Sequence, residues 1–313
     1  MSGNVVIEAS GVTKSFGQTS VLQGIDLAIP SGVTGLLGSN GAGKTTLLSL
    51  ILGIEPRDGG DMVVLGHDPV DAGPEVRARI GYSPEHHHLP ADVQAYDLVR
   101  HLAQLHGLAK QPSSERASDA LWLVGLGEER FRPIGTMSTG QRQRVKLAAA
   151  IAHDPELVLL DEPTDGLDPV QRDSMLTLIH RISNVYGINV LLSSHLLDEV
   201  DKICDHVVII ANGVVQRAGA LSELRGAGTA MMIELDNAHD AVAAELTARG
   251  FVVQQSSTRL YVDLADGVPL PDDAPFLVHD HIGDVVAKHG AGLRRMVEHT
   301  ASLEDVFFES SQS

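Results

Sequence analysis

One stretch restricts this chain more than any other: Gly38-Ser39-Asn40-Gly41-Ala42-Gly43-Lys44-Thr45-Thr46. It fits the phosphate-loop pattern G-x-x-x-x-G-K-[ST]. The apolar run Val33 to Leu37 precedes it and a helix-like run, Thr46 to Leu52, follows it. A strand, a glycine-rich loop and a helix are therefore expected in that order. Glycines let backbone N–H groups turn inward and cradle phosphate oxygens. The helix behind them presents the positive end of its dipole to the same anion. Lys44 is expected to reach the β- and γ-phosphates of a nucleoside triphosphate, and the Thr45 hydroxyl to ligand Mg²⁺.

The chain has 313 residues, 43% of them hydrophobic, enough for a core in one large or two ordinary domains. No apolar run approaches the roughly 18 residues of a membrane span. Met1 to Ala9 lacks the order of a signal peptide, so a cytoplasmic location is expected. The single cysteine, Cys204, reads as a buried small residue. The net charge of −18 speaks against nucleic acid and against anionic lipid as direct partners.

The chain alternates between strand and helix patterns. Strands are predicted at Val5–Ala9, Val21–Ile29, Met62–Leu65, Ile80–Tyr82, Leu157–Leu160 and Ile188–Leu192, with a hairpin around Asn212-Gly213. A helical insert without strands runs from about 92 to 153, with Trp122 as a packing residue. Helices are predicted at Gly140–His153, Val170–Asn184 and Asp198–Cys204. After a boundary near Gly226-Ala227-Gly228 the order is strand, helix, strand, strand, a loop at Pro269–Pro275, helix and strand, a ferredoxin-like α+β arrangement. A last helix is expected at Ser302–Glu309.

A second motif narrows the chemistry. Leu157 to Leu160 is an apolar run that ends in Asp161-Glu162. A carboxylate at the tip of a buried strand beside the phosphate loop can hold Mg²⁺ through water. Glu162 is then placed to orient or deprotonate an attacking water.

Further motifs carry a family resemblance. Met137-Ser138-Thr139-Gly140-Gln141-Arg142-Gln143 resembles the signature sequence of ATP-binding-cassette (ABC) proteins. Asp165-Gly166-Leu167-Asp168-Pro169 resembles their D-loop, and Ser193-Ser194-His195 their switch-histidine segment. The likeness runs from Val5 to about Leu224. It implies a P-loop NTPase α/β cassette over 1–226, with a helical subdomain and an N-terminal antiparallel β-subdomain, and an accessory domain over 227–313. It also implies two cassettes that clamp ATP between the phosphate loop of one and Ser138, Thr139, Gly140 and Gln141 of the other. His195 would bond the γ-phosphate and order Glu162, Asp168 would belong to the D-loop, and Phe16 would stack on adenine. Thr139 stands where the family usually has Gly, which is tolerable at a negative φ.

Tyr82-Ser83-Pro84-Glu85 matches the family's Q-loop, with Glu85 in place of the usual Gln. That exchange, and the ending Ser302 to Phe307, resemble an exporter branch. Glu85 joins Thr45 and Asp161 as a candidate metal-site residue. His86-His87-His88 reads as a solvated loop near a membrane partner. The resemblance implies an ATPase, ATP + H₂O to ADP + phosphate, with ATP and Mg²⁺. It would work as a homodimer at the cytoplasmic face of the membrane, reached through a separate permease subunit. Competing readings are an importer ATPase and a soluble cassette acting on DNA or the ribosome. The last is opposed by the acidic charge and by the lack of heptads between Thr46 and Met137.

Overall fold

The computed structural model describes residues 5–85, 89–224, 229–256, 259–264 and 274–300. Contacts divide the chain into two compact units, Met1–Leu221 and Ser222–Ser313. The expected boundary at Gly226 to Gly228, the three histidines and the Ser302–Glu309 helix lie outside the described residues.

The first unit runs β1 (Val5–Phe16), β2 (Thr19–Pro30), β3 (Val33–Leu37), α1 (Lys44–Ile51), β4 (Gly59–Val64), α2 (Gly73–Ala78) and β5 (Ile80–Ser83). Then come α3 (Ala95–Leu105), α4 (Lys110–Leu123), α5 (Thr139–Ile151), β6 (Leu157–Asp161), α6 (Pro169–Tyr186), β7 (Asn189–Ser194), α7 (Leu197–Ile203), β8 (His206–Ala211) and β9 (Val214–Ala220). Two sheets result. An antiparallel one has the order β2-β1-β4. A six-stranded one has the order β5-β6-β7-β3-β8-β9 and is parallel except at the β8–β9 hairpin. Every residue of β3 and β6 is buried, as central strands covered on both faces require. Both sheets and α1 share one core, in which Ile7, Leu22, Ile25, Leu36, Leu47 and Ile51 are fully enclosed. Each such side chain stabilises the fold by about 1.5–3 kcal/mol.

Two expectations change here. Strand β1 does not stop at Ala9 but continues to Phe16. Gly11 takes a φ of 58°, and a register shift between Ala9 and Val12 resets which face points inward. The alternation read from sequence breaks at that bulge. Trp122 is not a packing residue: it is 69% exposed. Ala117, Leu121 and Val124 form the buried stripe at this end of α4, and the indole lies one residue off it.

A single turn, α8 (Leu221–Leu224), precedes the strands of the second unit. That unit has β10 (Thr229–Leu235), α9 (His239–Ala248), β11 (Phe251–Ser256), β12 (Arg259–Leu264), α10 (Ala274–Lys288) and β13 (Leu293–Thr300). Its sheet is antiparallel with the order β11-β12-β10-β13, the ferredoxin-like arrangement. Helix α10 begins at Ala274, inside the expected Pro269–Pro275 loop. A first-turn proline is compatible with a helix start. A separate core joins Ile233, Val242, Leu246, Leu260, Ile282 and Val285.

Candidate active site

Parallel strands bring their carboxyl ends to one edge, and β3 lies where the strand order reverses. Leu37, the last residue of β3, pairs with Ser194 of β7, and Ser193 pairs with Asp161 of β6. The loops that leave these three strands therefore start side by side. The first is the phosphate loop. Gly43 caps α1 with a φ of 105°. A Cβ there would stand 2.7 Å from Leu22 Cδ2, so that side chain would have to shift, and the positive φ itself favours glycine. Helix α1 has no acidic residue in its first turn, which leaves its positive end uncompensated for an anion.

A cavity of about 340 Å³ opens above this loop, lined by Ser39, Asn40, Gly41, Gly43, Lys44, Thr45, Thr46, Val21, Glu85, Asp161 and Glu162. Lys44 is buried and donates to the Gly38 carbonyl at 2.7 Å. Its ammonium also lies 3.2 Å from Glu162 Oε1. That oxygen is buried, and among the described residues no donor meets it in hydrogen-bond geometry. The Thr45 hydroxyl donates to Asp161 Oδ2 at 2.9 Å. Glu162 has a φ of 47°, a left-handed value that costs a non-glycine residue on the order of 1 kcal/mol or more. It is held there from two sides. Its N–H donates to Ser193 Oγ at 3.0 Å, and its Oε2 lies 2.9 Å from His195 Nδ1. Ser193 Oγ in turn donates to Asp161 Oδ1 at 2.6 Å.

Motif residues outside the cavity are placed by helix caps. Ser138 caps α5 in a reciprocal box: its hydroxyl accepts from Gln141 N–H and Gln141 Oε1 accepts from Ser138 N–H. Thr139 is the first helical residue and is not among the positive-φ positions, so its side chain is accommodated. Gly140 lies close to Gln171 of the same chain; a Cβ would stand 2.7 Å from the Gln171 amide oxygen. Asp168 caps α6, accepting from Gln171 N–H at 2.9 Å. Ser138, Thr139, Gly140, Gln141, Asp168 and His195 do not line the phosphate-loop cavity, and neither does Phe16. Phe16 is 47% exposed at the β1–β2 turn, with the Lys14 ammonium 5.0 Å from its ring centre, so it is not a core aromatic.

Three residues bond to the site's side chains or loops without having been given a role from sequence, although Ser193 lies in the switch-histidine segment. Ser193 links the Asp161 carboxylate to the Glu162 backbone N–H. Glu199, on α7 and 1% exposed, accepts from Thr164 Oγ1 at 2.6 Å and from Ser194 Oγ at 2.7 Å. It thereby joins the segment after Glu162 to the segment before His195. Lys146, on α5, is buried and donates to the Glu85 carbonyl at 3.0 Å. Burial pulls its ammonium below the ordinary lysine value, and Asp161, Glu85 and Asp165 pull it back up. Burial, with the Asp161 and Glu85 carboxylates, pushes the Tyr82 phenol up to about 12. Among the described residues no cluster of three or more His, Cys, Asp or Glu forms a closed metal cage. The fitting donor set is instead the pair of hard oxygens on Thr45 and Asp161, which suits Mg²⁺ shared with phosphate.

The arrangement recurs in known proteins. Residues 22–165 match the family described as ABC transporter. The chain is 33% identical over 220 residues to the linearmycin resistance ATP-binding protein LnrL of Bacillus subtilis, covering 70% of each. It is 34% identical over 236 residues to the daunorubicin/doxorubicin resistance ATP-binding protein DrrA of Streptomyces peucetius, 75% of this chain and 71% of that one. This chain belongs to the ABC transporter ATP-binding proteins. Its second unit is shared as well. The bacitracin transport ATP-binding protein BcrA of Enterococcus faecalis aligns over 308 residues, 96% of this chain and 95% of that one, at 30% identity. Among solved structures, the cassette resembles cbiO1 of Clostridium perfringens, part of the transporter complex cbiONQ. The TM-score is 0.65 at 27% identity, over 71% of this chain and 90% of that one. It also shares the fold of a dimeric cassette bound to ADP and Pi in a post-hydrolysis state, with a TM-score of 0.61 at 22% identity, over 69% of this chain and 98% of that one. This ABC protein is thus an ATP-binding, ATP-hydrolysing subunit. Such subunits dimerise and act with transmembrane permease subunits. No helix among the described residues is long and apolar enough to cross a membrane.

Proposed function

We propose that this chain powers export as a homodimer at the cytoplasmic face of the membrane, bound to a separate permease. The observation that carries the hydrolytic part is the convergence of Lys44, Thr45, Asp161, Glu162 and His195 on the carboxyl edge of β3, β6 and β7. The direction of transport is supported by the names of its relatives, which include drug resistance, bacitracin transport and Nod factor export proteins.

The residues divide the work. Backbone N–H groups of Ser39 to Thr46 and the Lys44 ammonium bind the triphosphate, and Lys44 exchanges its carbonyl partner for phosphate oxygen. Thr45 and Asp161 would hold Mg²⁺, with Glu85 beside them, and the ion would supply positive charge to offset that of the phosphates. Glu162 takes the proton of the attacking water through a carboxylate that His195 keeps in place. Ser138 to Gln141 of a second cassette close the site with another helix N-terminus. Phe16 stacks on the adenine from the β1–β2 turn, and Asp168 fixes the start of α6 so that the D-loop meets the partner.

Glu162→Gln tests the assignment. The variant keeps the shape of the site and loses the base, so it is expected to retain ATP, accumulate closed dimers and lower kcat by about 100-fold or more. Size-exclusion chromatography with ATP and a phosphate-release assay read both effects. Hydrolysis at the parental rate would remove Glu162 from the mechanism.

A further inference from the structure

A lysine buried on the signature helix bonds to the backbone of Glu85, the residue with an unusual carboxylate, and lines a cavity with it. Lys146 lies two turns along α5 from Thr139 and is 7% exposed. Its ammonium donates to the Glu85 carbonyl at 3.0 Å. Glu85 follows β5 by two residues and lines two cavities. One is the phosphate-loop cavity. The other, about 400 Å³, is bounded by Thr139, Arg142, Gln143 and Lys146 of α5 and by Leu89, Ala91, Ile134 and Gly135. Lys146 thus stands behind the wall that separates nucleotide from signature. Three carboxylates act on it: Asp161, Glu85 and Asp165.

A buried ammonium costs free energy unless opposite charge compensates it, and an apolar residue would fill this helix position at lower cost. The compensation here is specific. Glu85 adds one negative charge to a site that already holds Asp161 and Glu162 and that binds a triphosphate. A neutral amide at position 85 would add none. Lys146 adds one positive charge on the far side of the same loop and bonds to that loop's backbone.

We propose that Lys146 is a positioning residue for hydrolysis: its ammonium offsets the charge of Glu85 and ties the Glu85 loop to the signature helix. The inference rests on the proposed roles of Glu85, Asp161 and Glu162. Without the ammonium, repulsion from Asp161 and the phosphates drives the Glu85 carboxylate and its loop outward. Nucleotide still binds through Lys44 and the phosphate loop, but the groups that act on water and metal lose their alignment. The defect belongs in kcat and not in KM, and it depends on the charge at position 85.

The test is a double-mutant cycle in the full chain with Lys146→Met, Glu85→Gln and the double variant, each assayed for steady-state ATP hydrolysis. Lys146→Met is expected to lower kcat by about tenfold with KM for ATP within about threefold of the parent. In the Glu85→Gln background the same exchange is expected to cost no more than about threefold. Lys146→Arg, which keeps the charge, is expected to restore part of the rate. Equal losses in both backgrounds, or a loss confined to KM, would overturn the inference. Lys146→Gln keeps a hydrogen-bond donor without the charge. It repeats the cycle should the methionine variant not fold, and the same two outcomes decide it. Glu162→Gln is run alongside. Parental hydrolysis in that variant sinks the reading of the site itself, whereas an uncoupled cycle beside an inactive Glu162→Gln sinks only the role of Lys146.

Discussion

One hydroxyl joins the Asp161 carboxylate to the backbone of Glu162, the two residues to which the proposed hydrolysis assigns metal and water. Ser193 donates to Asp161 at 2.6 Å and accepts from the backbone of Glu162 at 3.0 Å. Both bonds are buried, and the second supports a left-handed Glu162 at φ 47°. Ser193→Ala leaves the Glu162 N–H and one Asp161 oxygen without this partner. The expected cost is about 1–3 kcal/mol of stability by urea unfolding. Hydrolysis is expected to fall by about tenfold, while affinity for a fluorescent ATP analogue changes by less than about threefold. A parental rate would mean that Glu162 is held by His195 alone. In the segment Ser193-Ser194-His195 the sequence points to a role for His195 and to none for Ser193. Glu162, Lys44 and Thr45 sit in short patterns whose residues state their chemistry, and the family resemblance implies the role of His195. The bonds of Ser193, Glu199 and Lys146 are not legible in this way: they reach partners 32, 35 and 61 positions away in the chain. Only the strand order brings those partners within bonding distance.

At the scale of elements, the same motifs are also structural. The signature Ser138-Thr139-Gly140-Gln141 is a capping box, and Asp168 is the cap of α6, so each motif sets a helix start, whatever else it does. The far end of α5 has its own joint. His153 follows the helix, is buried, and bonds through Nε2 to the Ile80 carbonyl of β5 at 3.2 Å. The ring of His106, at the end of α3, stacks on it at 3.7 Å. Burial, then the His106 charge, pushes the His153 pKa down to about 4, with Arg116 adding to the fall and the Ile80 bond and Asp154 opposing it. The fold therefore keeps His153 neutral where the unfolded chain takes a proton. Stability is complete above about pH 6.5 and is lost as pH falls toward 4, by up to about 1.4 kcal/mol per pH unit. His153→Gln is expected to flatten this part of the profile, measured as urea midpoints at pH 7 and pH 5. An unchanged slope would place the acid sensitivity elsewhere. Helical periodicity showed that this insert is helical but did not orient Trp122, because a helix turns by about 100° per residue and one step leaves the buried stripe.

At the scale of the molecule, the half-site is the organising fact. The cavity over the phosphate loop contains no residue of Ser138 to Gln141, while those residues sit near Gly166 and Gln171 of their own chain. On the proposed reading a second cassette supplies Ser138 to Gln141 to this cavity, which places two nucleotides in one interface. The net charge of −18 makes such pairing depend on bound cations and on salt, since like-charged copies repel. The second unit, with its own core, is retained along the whole length of the bacitracin transport relative, so it travels with the cassette as part of the subunit. On that reading ATP binding belongs to the monomer and hydrolysis to the dimer. Below the dimer dissociation constant the hydrolysis rate per chain is expected to fall in proportion to protein concentration, while nucleotide affinity per chain stays level. Parallel dilution series, one read by phosphate release and one by a fluorescent nucleotide, separate the two. A rate per chain that stays flat on dilution to the nanomolar range would mean that one cassette closes its own site, and Ser138 to Gln141 would then need another role.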